Sequence, residues 1–381
     1  MSGDEDRDRA MADRLRSAAD ASGFVPFDRF MDIALYAEGL GFYARAGPTL
    51  GPRGDFYTAA HVHPLFARSI GRRLTAVREA LGVERPFSVV EVGPGDGTLA
   101  DGVIRTIGTA AENGGPIDYV LVERSGPLRS LALERARTAG TASGVSVRTS
   151  AGLSADGPFS GAVLANEVLD AQPARRLRWT GSAWVELGAR WEGGRLVPAE
   201  ARLSRALSGM PLTPAPPPGT VVEVSPSAEA MVREVADHLA RGLFVVLDYG
   251  MEETELRSAH PSGTLAAVRR HRAVSDPFGA PGSRDLSVFV NFTRIRQAGR
   301  SSGLVELDFG RQAEALGRWG FPALLESELR AARSPEEEVR TRLATKNLLF
   351  GFDRFQVLEL AAAESADALS RLRPEDPTPG R

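Results

Sequence analysis

The sequence predicts an α/β fold in which helices cover both faces of a parallel sheet. Three observations carry that expectation. Short apolar runs recur along the chain, and helical patterns fill the gaps between them. One such run, "FSVVEVG", ends in a loop with Gly93, Gly95 and Gly97 at alternate positions, and a helical pattern follows at once. With 381 residues, 43% hydrophobic and 25% charged, the chain can bury a large core without covalent staples.

In chain order, residues 1–12 are too charged to pack and are expected to be disordered. From Met11 to about Leu40 the apolar residues recur at helical spacing: Leu15, Ala18 and Ala19, then Phe27, Phe30, Met31, Ala34 and Leu35. A loop follows with five glycines, Gly39, Gly41, Gly47, Gly51 and Gly54. "PLFARSIGRRLTAVREAL" is an amphipathic helix. Then come "FSVVEVG" as strand, "GTLADGVIRTIGTAA" as helix, "DYVLVER" as strand, "GPLRSLALERARTA" as helix, and the strands "VSVRTS" and "GAVLANEVLD". Tryptophans and glycine turns at hairpin spacing make "RRLRWTGSAWVELGARWEGGRLVPA" an antiparallel excursion. "SGMPLTPAPPPGT" is a proline-rich connection, "SAEAMVREVADHLAR" a helix and "GLFVVLDYG" a buried strand. A polar stretch, 251–286, breaks the rhythm. "FTRIRQAGRSSG" and "RQAEALGRWG" read as helices, "LVELDFG" and "FQVLELAA" as strands, and "RPEDPTPGR" as a disordered tail.

Composition excludes some chemistry. There is no cysteine, so disulfides, thiolate nucleophiles and cysteine zinc sites are ruled out. The five histidines show no metal-ligand spacing beyond His61-x-His63, and no metal is expected. A net charge of −3 gives no general attraction to nucleic acid or to anionic membranes. No run of about 18 apolar residues is present to span a bilayer. The first twenty residues lack the apolar segment of a secretory signal, and a cytoplasmic protein is expected.

In open parallel sheets, ligands bind beyond the carboxyl ends of the strands. Gly93, Gly95 and Gly97 stand at such an end. Glycines there let a ligand approach the backbone, although a plain strand-to-helix turn uses them too. The neighbours narrow the choice. The loop is neither the G-x-G-x-x-G of dinucleotide binders nor a phosphate loop with its lysine. Glu91 lies two residues before Gly93, inside an apolar strand, where a carboxylate needs a partner. Glu123 ends the next strand and can accept both hydroxyls of a ribose, in NAD or in S-adenosylmethionine alike. An acid before the loop and Asp96 within it suit the cationic amino group of S-adenosylmethionine better than a pyrophosphate. The cofactor expected is therefore S-adenosylmethionine, with NAD as the rival.

With those residues in place, the chain resembles the MidA-type class I S-adenosylmethionine-dependent methyltransferases over about residues 27–362. The landmarks are "MDIALYAEGLGFYA", "GDFYTAAHVHPLF", "EVGPGDGTLADGVI", "YVLVERSGPLRSL", "LANEVLDAQP", "VVEVSPSAEAMV", "GLFVVLDYG", "AAVRRHRAVSDPFGAPGSRDLSVFVNF" and "FQVLEL". The resemblance implies a Rossmann-like seven-strand core over 81–365, with insertions near 174–220 and 251–300. It also implies an N-terminal helical region and cofactor-covering loop over 13–80, and a tail over 366–381. Gly93, Gly95 and Gly97 would face the methionine part of the cofactor and Glu123 its ribose. "AGL", with Gly152 and Leu153, would lie near the adenine. Asn166 and Glu167 would line the reaction centre, and Gly54, Asp55 and Thr58 would close over the cofactor. Two departures stand out: "TAAHVH" where the family commonly reads T-S-P-E-I-S, and "NEVLDA" where it reads N-E-F-F-D-A.

Transfer from a sulfonium is an in-line displacement that depends mainly on alignment, with a base needed only if the nucleophile must lose a proton early. Glu167 is the expected substrate-positioning carboxylate. His61 and His63 are candidate bases near neutral pH. Asp170 can equally cap a turn, and Glu223 and Asp248 read as structural carboxylates. Arg269, Arg270, His271 and Arg272 read as a solvated loop, and Trp179, Trp184 and Trp191 as packing. The methyl acceptor is expected to be a protein, an arginine by resemblance, or a small molecule. A cofactor-binding assembly factor of low activity is the reading from another class. A homodimer is compatible with all of these.

Overall fold

A computed structural model describes residues 3–45, 58–82, 86–108, 115–150, 152–153, 157–204, 216–269 and 272–372. Gly54, Asp55, Ala151, Arg270 and His271 lie outside them. Seven strands form the core: β1 (Phe87–Val92), β2 (Ile117–Val122), β3 (Ser146–Ser150), β4 (Phe159–Asn166), β5 (Leu239–Met251), β6 (Leu304–Arg311) and β7 (Phe355–Ala362). Their order in the sheet is β3-β2-β1-β4-β5-β7-β6. All pairs are parallel except those of β7, which runs antiparallel to both β5 and β6. The short strand Val290–Asn291 adds to the end of β5.

The period of two along each strand builds two cores. Val89, Ala162, Leu164, Leu243, Val245 and Leu247 pack toward the helices Leu65–Leu81, Thr98–Gly108 and Gly126–Ser143. Val90, Val163, Ala165, Phe244 and Val246 pack toward Pro226–His238 and Phe292–Ser301. Both faces are covered, as the alternation of strand and helix predicts. The reversal of strand order falls between β1 and β4, and the carboxyl ends of those strands open the crevice that ligands use.

At the centre of the sheet, Ser88, Gly161 and Gly242 stand side by side in β1, β4 and β5. A Cβ on Gly161 would sit 1.8 Å from the carbonyl oxygen of Ser88, and one on Gly242 would sit 1.7 Å from that of Gly161. These obstacles are backbone and cannot rotate away. Alanine at either position should destabilise the protein by about 3 kcal/mol or more. A drop in Tm of only a degree or two for both variants would refute this.

Four regions differ from the sequence expectation. Residues Gly3–Ser17 are helical where disorder was expected through residue 12, because Met11 and Leu15 are buried against Phe27, Phe30 and Met31. The region Met11–Leu40 is not continuously helical. Asp20 accepts the N–H groups of Ser22 and Phe24, Gly23 adopts φ +76°, and the chain turns into the strand Phe24–Pro26 before the helix Phe27–Tyr36. That strand pairs with Trp184–Glu192 of the inserted lobe, so the N-terminal region and the lobe share one antiparallel sheet. Near the C-terminus, Ala366–Ser370 is helical with Leu369 buried, where a disordered tail was expected from residue 366. Between β6 and β7 lie two further helices, Phe321–Ala331 and Pro335–Phe350, which the sequence did not suggest.

Candidate active site

The carboxyl ends of β1, β2 and β4 open onto a cavity of about 540 Å³, within the range of small-molecule sites. The loop after β1 forms its floor. Gly93, Gly95 and Gly97 have φ of +65°, +56° and +80°, all in the left-handed region where a side chain is strained. Asp96, between the last two, accepts the N–H of Thr98 at 3.0 Å and so caps the helix Thr98–Gly108.

Glu91, Asp96, Glu123 and Glu167 all reach this cavity. Glu91 is buried on the same face of β1 as Val89, and the Tyr119 hydroxyl donates to its Oε2 at 2.6 Å. Burial pushes the Glu91 carboxyl up to about 7, against the opposing effect of that hydrogen bond. Glu123, at the end of β2, accepts the Ser125 N–H at 2.8 Å, and burial raises its carboxyl too. Burial also opposes ionisation of Asp96. There the hydrogen bonds from His61, Thr98 and Arg135 win, and the carboxyl is held well below the usual range.

Glu167 follows β4 with φ +54°, one of two non-glycine residues among those described with positive φ. The surrounding structure over-determines it. Its N–H donates to Leu247 O at 2.8 Å, and the buried Asp248 on β5 accepts the N–H groups of Val168, Leu169 and Asp170 at 3.1, 2.8 and 3.2 Å. Asp248 is thus the structural carboxylate expected, and the part it holds is the loop that aims Glu167. The Glu167 Oε1 accepts the N–H of Ala59 at 3.0 Å, and burial lifts the carboxyl to about 8. Asn166 Oδ1 and Asp170 Oδ1 are buried with no hydrogen-bond partner among the described residues.

Thr58, His61, Gly152, Leu153 and Asn166 also line the cavity. His63 does not. The helix Ala59–Val62 ends before it, at an extended backbone with φ −159°, and its Nδ1 accepts from the Leu65 N–H beside Arg68 and Glu328. The candidate base at His63 is therefore withdrawn.

Two walls were missed. Tyr36 and Tyr43 stack at 5.6 Å, and their hydroxyls donate to Ala171 O at 3.0 Å and Asp285 Oδ1 at 2.7 Å. Met231 and Glu234, on Pro226–His238, face the cavity from the other side. Tyr36 and Tyr43 lie in the landmark "MDIALYAEGLGFYA" and Met231 in "VVEVSPSAEAMV", while Glu234 carries no such signal.

The raised carboxyls set a pH dependence. Glu91 and Glu167 keep protons when folded that they release when unfolded above about pH 4.5. Stability from these groups must then fall as pH rises from about 5 to 8. Glu91→Gln should flatten that slope in a series of Tm values without cofactor. An unchanged slope would show that Glu91 is ionised throughout.

The strand order, the left-handed glycine loop and the acid ending β2 define a class I S-adenosylmethionine-dependent methyltransferase. The cavity fits that cofactor: glycines where it meets backbone, carboxyls for its cationic and hydroxyl groups, and an unpartnered buried amide oxygen at Asn166. Residues 69–309 match the family described as "Putative S-adenosyl-L-methionine-dependent methyltransferase", and the chain belongs to that family. It is similar to the Drosophila melanogaster protein named "Protein arginine methyltransferase NDUFAF7 homolog, mitochondrial", with 27% identity over 78% of this chain and 71% of that one. The Homo sapiens protein of corresponding name is 26% identical over 73% of this chain and 66% of its own length. Among solved structures, a superfamily member from Burkholderia thailandensis bound to S-adenosyl-homocysteine covers 98% of both chains, with TM-score 0.83 and 29% identity.

Proposed function

We propose that this methyltransferase modifies an arginine side chain of a protein. The observation that carries the proposal is Glu167, a carboxyl fixed in a left-handed conformation at the cavity beside the unpartnered oxygen of Asn166. A guanidinium offers five N–H donors to such acceptors. Its approach would favour the ionised form of Glu167, which burial otherwise disfavours. The names of the animal relatives support the same acceptor.

The cofactor supplies an electrophilic methyl group. Gly93 and Gly95 leave room for its amino-acid part, Gly97 lets the loop pack against the helix Gly126–Ser143, Glu91 and Asp96 offer negative charge to its amino group, and Glu123 offers acceptors to its ribose. Glu167 orients the acceptor nitrogen and takes up the proton that this nitrogen loses on alkylation. The cytoplasmic location expected from the sequence belongs to the same proposal, although the animal relatives are named as mitochondrial proteins.

The test is a lysate incubated with the protein and methyl-labelled S-adenosylmethionine. Label in protein, recovered after acid hydrolysis as methylarginine, is the expected result. Label confined to small molecules would overturn the proposal and point to a metabolite methyltransferase. No transfer at all, with cofactor bound, would point to an assembly factor.

A further inference from the structure

The helix Ala59–Val62 is a single turn, yet it touches both halves of the site. Its Ala59 N–H donates to Glu167, and its His61 places Nε2 3.2 Å from Asp96 Oδ2. The hydrogen bonds decide where the imidazole carries its proton. The Thr58 N–H points at Nδ1 at 3.2 Å, and the Thr58 hydroxyl, 3.0 Å from the same nitrogen, can donate to it as well. A backbone N–H can only donate, so Nδ1 accepts and is bare. The proton of the neutral ring then lies on Nε2, directed at Asp96. Both nitrogens are committed, and the side chain is only 8% exposed. No lone pair is left to take a proton from a methyl acceptor.

Asp96 is the residue this arrangement serves. It sits between Gly95 and Gly97, and three groups fix it: Thr98 N–H on one oxygen, with His61 and Arg135, the latter at 2.8 Å, on the other. Of the three, only His61 belongs to the segment that also holds Glu167. We propose that His61 is a positioning residue for cofactor binding, which braces the Gly93–Gly97 loop through Asp96, and is not a base in the reaction. This does not depend on the identity of the acceptor.

Two substitutions separate the nitrogens. Glutamine can place an amide N–H near the position of Nε2 and keep the bond to Asp96. Asparagine can place a carbonyl near Nδ1, keeping the bond to Thr58 and losing Asp96. In calorimetry with S-adenosylhomocysteine, His61→Asn should weaken binding about tenfold, and His61→Gln should stay within about threefold of the wild type. At saturating cofactor, kcat of both should stay within about threefold. The double variant H61N/D96A should bind no more weakly than D96A alone, since His61 acts through Asp96. Nitrogen NMR of the unmodified protein gives a readout that needs no variant, with His61 protonated on Nε2 and bare on Nδ1. A proton on Nδ1 would overturn the proposal. So would His61→Gln binding no better than His61→Asn, or a hundredfold loss of kcat in His61→Gln with cofactor affinity unchanged, which is the mark of a base.

Discussion

Glu167→Gln should lower kcat by a hundredfold or more while cofactor Kd stays within about threefold. Glutamine preserves the shape of the side chain, and its carbonyl can still accept the Ala59 N–H now bound by Oε1. The left-handed backbone, held by Leu247 and by the loop that Asp248 caps, is also unchanged. What disappears is the ability to carry negative charge and to accept a proton. A loss confined to kcat would place Glu167 at the acceptor. A Kd that rises in parallel with the loss of turnover would place it at the cofactor instead, and turnover within threefold of wild type would remove it from the reaction. The pH profile is a second check. With its carboxyl raised to about 8, activity limited by Glu167 should climb with pH through that value, and the climb should vanish in the variant.

The second large effect is expected at the glycine loop. Gly97→Ala should weaken cofactor binding at least tenfold and lower Tm by several degrees. A side chain at φ +80° is strained by about 1–2 kcal/mol. The new Cβ would also lie 2.8 Å from Ala132 Cα and 3.0 Å from its carbonyl oxygen, both backbone atoms of Gly126–Ser143. Relief requires the helix Thr98–Gly108 to move away from its neighbour, and Asp96 would move with it. Gly93→Ala makes a useful contrast. Its Cβ would come nearest the Val168 side chain, with Cγ2 at 2.8 Å, and a valine side chain can shift. Titration of both variants with S-adenosylhomocysteine should rank Gly97→Ala as the weaker binder, and the reverse order would show that the contact with Ala132 is not what limits the loop.

The core was legible because each of its strands is a short apolar run between helical patterns, and the glycine loop and its acids lie within about forty residues of one another. The missing parts have physical reasons. The strand Phe24–Pro26 hides among residues at helical spacing, and only the turn at Asp20 and Gly23 separates it from its neighbours. The helix Pro335–Phe350 splits its apolar residues between faces: Val339, Leu343 and Phe350 share an exposed one, while Leu348 is buried on the opposite side with Thr341 and Thr345. Tyr36, Met231 and Glu234 come to the cavity from segments far apart in sequence, and no local pattern shows that they share its walls. His61 and His63 look equivalent in sequence, yet the helix between Thr58 and His63 ends at Val62 and sends them to different places.

The sheet shared by the N-terminal region and the lobe also sets an order of assembly. Phe24 pairs with Arg190, a residue made much later in synthesis. At about 5–20 residues per second, the strand Phe24–Pro26 waits on the order of ten seconds or more for its partner. Through that interval Phe27, Phe30 and Met31 have only part of their final packing, since Ala171, Ala174 and Ala189 belong to the same cluster. The tyrosine wall of the cavity, carried by this region, is then among the last parts of the site to form. A nascent chain should become able to retain cofactor only after the lobe has emerged, however early the glycine loop has folded.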